Sequence, residues 1–299
     1  MEQIITVPTP QGTTELCIET FGNPADPLMI QIEGHMAQLI STPRSYCEQL
    51  AERGFHVVRF DNRDVGRSQR FPGVAYTLAD MADDVHGLIT KLGGGPAYVC
   101  GRSMGGQIAQ LLALAYPDDV AGLVLFFTLA RAKRRAPEAR DDGSNESSVA
   151  ASGAGAEETS TIEPEPEWAQ FRDEEDFVAW QQQTLPGTAG RNYPFSKAAI
   201  DLLAREMWRR GVDTAGYARQ TRAMAITPPW ADRLASLTIP SLVIHGDEDC
   251  VIPISRGREL VDRLPNVELL IVPGMGHQQP PELDSYFVDA VVGLCRRAG

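Results

Sequence analysis

Gly101-Arg102-Ser103-Met104-Gly105 decides how this chain is read. It follows the apolar run Ala97-Tyr98-Val99-Cys100 and opens a helical pattern. Ile108, Leu111, Leu112 and Ala115 fall at the i, i+3, i+4, i+7 spacing of one packed face, which ends before Pro117. A serine on a sharp turn between strand and helix needs small residues two positions to either side, and Gly101 and Gly105 meet that demand. The pattern predicts a helix over 103–116 and a serine projecting above a sheet edge. A glycine-rich turn in which the serine merely caps a helix would read the same way locally, so the flanking chain has to decide.

Outward from the elbow, strand and helix alternate. Upstream lie two alternating runs that read as edge strands, an inner apolar strand over 28–32, a helix over 43–53 that closes at Gly54, and a β-branched strand over 55–60. The helix over 77–92 opens on Thr77-x-x-Asp80, a capping-box pattern, and puts Leu78, Met81, Val85, Leu88, Ile89 and Leu92 on one face. Downstream come a strand over 120–127 and, after an interruption, a strand over 241–245, a helix over 255–264, a strand over 267–272 and a last helix over 281–296. Strands that are apolar throughout, alternating with helices, predict a parallel sheet covered on both faces.

The interruption has two parts. Residues 131–167 run from a basic patch into an acidic Ser, Gly, Ala, Thr, Glu and Pro stretch with almost nothing to build a core, which reads as a weakly ordered linker. Residues 168–232 read as helices and hold all four tryptophans, Trp168, Trp180, Trp208 and Trp230, with Phe171, Phe177, Tyr193, Phe195 and Tyr217. These rings either line a lid over the serine or form the small core of the inserted helices.

The 299 residues, 43% hydrophobic, suffice for one large core with an insertion. A net charge of −13 disfavours phosphate backbones and anionic lipid as partners, so neither nucleic acid nor membrane binding is expected. No run approaches the roughly 20 apolar residues of a spanning helix. Met1-Glu2-Gln3 has neither the basic start nor the apolar core of a signal segment. The expectation is a cytoplasmic monomer or homodimer acting on a small molecule. Cys17, Cys47, Cys100, Cys250 and Cys295 are odd in number and lack metal-ligand spacing, as suits free thiols. No metal cluster and no phosphate-cradling loop is recognisable, so no cofactor is expected.

A serine hydroxyl is a weak nucleophile that needs a base, itself oriented by an acid. Two late strands end in suitable loops, His245-Gly246-Asp247-Glu248-Asp249-Cys250-Val251-Ile252-Pro253 and Pro273-Gly274-Met275-Gly276-His277. In a parallel sheet those ends share an edge with Ser103, the edge where open α/β folds bind ligands. His277 follows a strand end in a glycine-flanked loop and is the preferred base, whereas His56, His86 and His245 read as structural. Asp249 competes with Asp247 and Glu248 for the acid, and the spacing Gly246-x-x-Asp249 before Val251 and Pro253 favours it. An oxyanion needs two N–H donors. Met104 supplies one, and the loop Glu33-Gly34-His35-Met36 supplies the other through the backbone of His35, whose side chain would alternatively line the pocket. Met36, Arg102, Trp168, Trp180 and Trp208 are the expected substrate contacts.

The order serine, aspartate, histidine, the elbow, Gly246-x-x-Asp249 and Gly274-Met275-Gly276-His277 together resemble the α/β-hydrolase superfamily, over nearly the whole chain outside 131–230. That resemblance implies a mostly parallel eight-stranded sheet with helices on both faces and a helical cap inserted after the sixth strand. The core would comprise 1–130 and 233–299, the linker 131–167 and the cap 168–232. Asp61-x-Arg63-x-x-Gly66-x-Ser68 also recurs in the superfamily and is read as a structural loop. With that stretch, Phe21-Gly22-Asn23-Pro24-Ala25-Asp26-Pro27 and the Ser-Met-Gly elbow are similar to aclacinomycin methylesterase-like polyketide-tailoring hydrolases. This implies a methyl or other small ester on a polycyclic scaffold. The chain departs from that family by carrying Glu33-Gly34-His35 where His-Gly or Gly-Gly is usual, and Arg102 at the second elbow position. Serine at 103 excludes the epoxide hydrolases and haloalkane dehalogenases of the fold, which need aspartate there. Ester hydrolysis is the first reading, with triad-driven cyclisation, C–C cleavage or haloperoxidation as the second and ligand binding without turnover as the third.

Overall fold

Strands that are apolar at every position have to bury both faces, and β3 (Leu28–Ile32) and β4 (His56–Phe60) are buried throughout. The computed structural model, which describes residues 1–133 and 170–298, places them inside one eight-stranded sheet. The other strands are β1 (Gln3–Thr9), β2 (Gly12–Phe21), β5 (Ala97–Arg102), β6 (Val120–Phe126), β7 (Ser241–Gly246) and β8 (Val267–Val272), in the order β1-β2-β4-β3-β5-β6-β7-β8. β2 pairs antiparallel with both β1 and β4, and every other pair is parallel. The mostly parallel eight-stranded sheet is therefore as expected.

Helices cover both faces. α2 (Leu78–Lys91) and α3 (Met104–Ala115) pack on one side, where Met81, Val85, Leu88, Ile108 and Leu112 join Ile30, Val99 and Leu125 in the larger core. α1 (Arg44–Glu52) and α8 (Asp284–Ala298) pack on the other, around Tyr46, Phe126 and Phe287, and α7 (Ile254–Val261) lies against β7 and β8. The capping box is present. The Thr77 side chain accepts from the Asp80 amide, while the Asp80 carboxylate accepts from the Thr77 amide.

Among the described residues three α-helices, α4 (Glu174–Thr184), α5 (Lys197–Arg210) and α6 (Thr214–Ile226), stand between β6 and β7 as a cap. Its own small core is Phe177, Val178, Ala204 and Met207, flanked by Phe171, Trp180 and Trp208. Trp230 belongs instead to the sheet core, where its indole N–H donates to Gln110 Oε1 over 3.0 Å. The first residues of the expected linker are fixed, since the Arg131 carbonyl accepts from the Trp230 and Ala231 amides. Residues 134–167 of that linker, and Trp168, lie outside the described residues. Among the described residues no helix is long and apolar enough to cross a membrane.

The loop 61–68 fastens the cap to the core, as the structural reading of its motif requires. Asp61, fully buried, accepts from the Leu39 amide at 2.7 Å, the Arg67 amide at 2.8 Å and Arg210 Nη2 of α5 at 2.5 Å. A side chain at Gly66, where φ is +55°, would come within 2.2 Å of the Asp61 carboxylate, so the turn requires glycine. Asp64 accepts from Arg219 of α6 at 2.7 Å, and the Arg63 carbonyl accepts from Gln220 at 2.9 Å. Burial pushes the Asp61 carboxyl upward, and Arg210 opposes that shift. Arg210→Met leaves the carboxylate buried without its counter-charge, so it is expected to cost about 3 kcal/mol of stability. A lowered urea midpoint at neutral pH checks this, and an unchanged midpoint refutes it.

Candidate active site

The elbow is tight because backbone leaves no room for side chains beside it. A Cβ at Gly101 would lie 2.4 Å from the Gly105 carbonyl oxygen, and one at Gly105 would lie 2.3 Å from that of Ile32. Ser103 itself takes the sparsely populated φ 51°, ψ −116°, a strained conformation held because its amide donates to the Phe126 carbonyl and its carbonyl accepts from Thr128 Oγ1. The hydroxyl is thereby lifted clear of β5, at the first turn of α3.

Three loop ends meet there. The Ser103 hydroxyl donates to His277 Nε2 over 3.0 Å, and His277 Nδ1–H donates to Asp249 Oδ2 over 2.8 Å. A carboxylate only accepts, so its contact with Nδ1 assigns the ring proton to that nitrogen and leaves Nε2 free to take one. Asp249 Oδ1 accepts from the amides of Val251 and Ile252 at 2.9 and 2.8 Å, which fixes the carboxylate plane. Burial would raise the Asp249 carboxyl, but hydrogen bonds from His245 and His277, the electrostatic pull of the adjacent His277 ring and the Ile252 amide hold it down at about 2. It is an anion at any working pH.

The competing acids are occupied elsewhere. Asp247 accepts from the Gly274 amide, and Glu248 pairs with Arg191. His245 is fully buried under Gly257 and donates to the Ile252 carbonyl, while His86 stacks on Tyr116 and pairs with Asp119. The ring of Phe127 lies edge-on to His277, centroids 4.8 Å apart, and the His277 amide donates to the Thr188 carbonyl of the cap.

The loop after β3 passes directly under the serine, since a Cβ at Gly34 would lie 3.3 Å from Ser103 Cβ. The His35 imidazole faces α6, with Nε2 3.0 Å from both the Tyr217 carbonyl, to which it donates, and Thr221 Oγ1. Burial lowers its pKa, partly offset by the hydrogen bond to Tyr217, so the ring is neutral. The Met36 amide donates to Gln220 Oε1 at 3.0 Å and is not available to a ligand. Glu33, almost fully buried, accepts from Thr42 Oγ1 and from the Gly34 amide, so its charge serves to brace this loop.

A cavity of about 430 Å³ opens over Ser103 and His277. Met36 and Trp180 line it, and so does His35. Trp208 does not; it turns into the core of the cap, 6.0 Å from Phe177, because the α5 face that carries it packs on α4. Arg102 borders the cavity, but its guanidinium is committed to Gln31 and Gln279. Phe127, Leu203, Met207, Gln278 and Gln279 also line the space. None stands out in sequence, because each reaches the cavity through cap docking or loop placement and follows no spacing that marks a pocket.

The sequence profile described as the alpha/beta hydrolase fold matches residues 41–280. The chain belongs to the α/β-hydrolase family. This hydrolase is 27% identical to the rhodomycin D methylesterase DauP of Streptomyces sp. strain C5 over 94% of each chain. It is 25% identical to a non-heme haloperoxidase of Rhodococcus erythropolis, over 76% of this chain and 77% of that one. Among solved structures, a thermophilic esterase from Thermogutta terrifontis superposes with a TM-score of 0.73 at 25% identity, covering 99% of both chains. The similarity to methylesterases read from the sequence is thus found over nearly the full length, and it supports ester hydrolysis as the general chemistry of this family enzyme.

Proposed function

We propose that this α/β-hydrolase is a serine carboxylic ester hydrolase working through an acyl-enzyme. Ser103 Oγ attacks the ester carbonyl while His277 Nε2 takes the hydroxyl proton, and the tetrahedral intermediate collapses as His277 returns that proton to the departing alcohol. Water then adds to the acyl carbon with His277 again as base, releasing the carboxylic acid and restoring Ser103. Asp249 fixes the imidazole tautomer and stabilises the imidazolium. The oxyanion is met by the amide of Met104, whose place at the start of α3 leaves it without an acceptor four residues back, and by the amide of His35. The observation that carries this reading is the unbroken line from Ser103 Oγ through His277 to Asp249, at 3.0 and 2.8 Å.

The substrate is a small molecule, a methyl ester on a polycyclic or polyketide-type scaffold. Two observations support this, the methylesterase relatives and a cavity that offers Trp180, Phe195, Leu203 and Met207 as apolar walls for flat rings. Incubation with a serine-directed phosphonate should give one covalent adduct, located on Ser103 by peptide mass spectrometry. An unmodified Ser103 sinks the mechanism. A panel of aryl, short-chain and polyketide-type methyl esters tests the substrate class. The second reading, triad-driven chemistry other than hydrolysis, draws support from the haloperoxidase relative. Phosphonate capture together with no turnover of any ester in the panel would favour it.

A further inference from the structure

Arg102 is buried at 3% exposure directly beneath the nucleophile proposed above, and its surroundings are unusual for a charged side chain. Its Nη1 donates to Gln31 Oε1 on β3 at 3.0 Å and its Nε to Gln279 Oε1 at 2.8 Å, both neutral acceptors. The guanidinium packs into the corner of two aromatic rings that meet edge-on, 5.4 Å from the Tyr46 centroid and 4.9 Å from that of Phe126. Nη2 is buried without a hydrogen-bond partner. A buried guanidinium with an unsatisfied N–H group costs stability that an apolar side chain of similar volume would not. Stability alone therefore does not account for an arginine here.

We propose that Arg102 is a positioning residue that clamps the His277 loop to the end of β5 through Gln279, and so holds the imidazole on Ser103. The inference rests on the serine mechanism above. Arg102 is adjacent in sequence to Ser103, and Gln279 is two residues beyond His277, so one hydrogen bond joins the two loops whose separation sets the 3.0 Å contact between them. The far side is anchored as well. Gln279 Nε2 donates to Asp284 Oδ1 at 3.3 Å, and Asp284 Oδ2 accepts from Ser45 Oγ of α1 at 2.5 Å. The two rings keep the planar fork from swinging, a constraint that a lysine ammonium would escape. A general base displaced by about 1 Å loses on the order of 100-fold in rate, so a clamp of this kind acts chiefly on the chemical step.

The test compares Arg102→Met, Gln279→Leu and the double variant by phosphonate capture at Ser103, separating the limiting rate from the half-saturation concentration. Each single variant should lower the limiting rate about 10- to 100-fold, with any change in half-saturation much smaller than that, and the double variant should be no slower than Arg102→Met alone. Losses that multiply, or a limiting rate equal to that of the wild type, overturn the clamp. Solvent exchange of the His277 Nδ1 proton, followed by NMR, reads the loop without relying on the serine and should accelerate several-fold in both single variants. If wild-type Ser103 takes no phosphonate, the nucleophile assignment falls, and unchanged exchange in the variants would then separately overturn the clamp. Gln279→Leu lies on a loop and carries the comparison if Arg102→Met does not fold.

Discussion

Ser103→Ala is expected to lower kcat for ester hydrolysis by at least about 10⁴-fold, some 5 kcal/mol of transition-state stabilisation, with KM changed by no more than about threefold. In the proposed mechanism the substitution removes the only protein atom that bonds to the substrate carbon. It leaves the amides of Met104 and His35, the cavity walls and the elbow backbone in place. Ser103 is held by its own main chain, through its amide to Phe126 and its carbonyl to Thr128, and neither bond uses Oγ. The fold should therefore be preserved, and a loss of kcat with an unaltered unfolding transition is the signature. A residual rate above uncatalysed hydrolysis is also expected, because oxyanion donors and bound geometry act without the nucleophile. Full activity in this variant would end the serine mechanism.

Asp249→Asn should cost about 10⁴-fold in kcat for a different reason. In the wild type Oδ1 accepts two loop amides, from Val251 and Ile252, while Oδ2 faces His277 Nδ1. An asparagine has one acceptor oxygen, and the two amides claim it. Its NH₂ group is then left facing His277, where it donates to Nδ1 and drives the ring proton to Nε2. The imidazole now presents a donor to Ser103 Oγ and has no lone pair to receive the hydroxyl proton. Steady-state kinetics should give a collapsed kcat with KM little changed, and a kcat within tenfold of the wild type would contradict the tautomer role.

The same substitution has a stability consequence whose sign is fixed. The Asp249 carboxyl is held at about 2 in the fold against an ordinary 3.8, so its contribution is fully present above that ordinary value and is lost as pH falls toward 2. Acid unfolding of the wild type should include this loss. Asp249→Asn should lack that part of the pH dependence, with a correspondingly flatter stability curve between about pH 4 and pH 2.

Much of the architecture was legible from local chemistry. The elbow glycines, the Thr77 capping box and the fully apolar runs of β3 and β4 each report a short-range requirement, and each element formed where that requirement lies. Asp249 and His277 could be singled out because they lie in loops that follow strands, and strand ends in a parallel sheet share one edge. The cap was harder. Trp180 and Trp208 are equally aromatic, sit on neighbouring helices and both flank the cap's core, yet only Trp180 also lines the cavity. Which face of α4 or α5 meets the serine depends on Arg210 reaching Asp61 and Arg219 reaching Asp64, contacts that join residues roughly 150 positions apart.

Arg102 and Glu33 make the same point. From sequence, both are charges beside a nucleophile, and Arg102 looked like a substrate contact. In the fold both border the cavity, yet their charged ends are committed to protein groups, Glu33 to Thr42 and the Gly34 amide, Arg102 to Gln31, Gln279 and two rings.

By itself the sequence determined the alternating α/β frame and the tight turn at Ser103, because backbone sterics and strand burial act over a few residues and leave periodic marks. Only the tertiary structure decided what surrounds that edge. The direction of a buried side chain is set by partners far along the chain, and no spacing in the sequence records them.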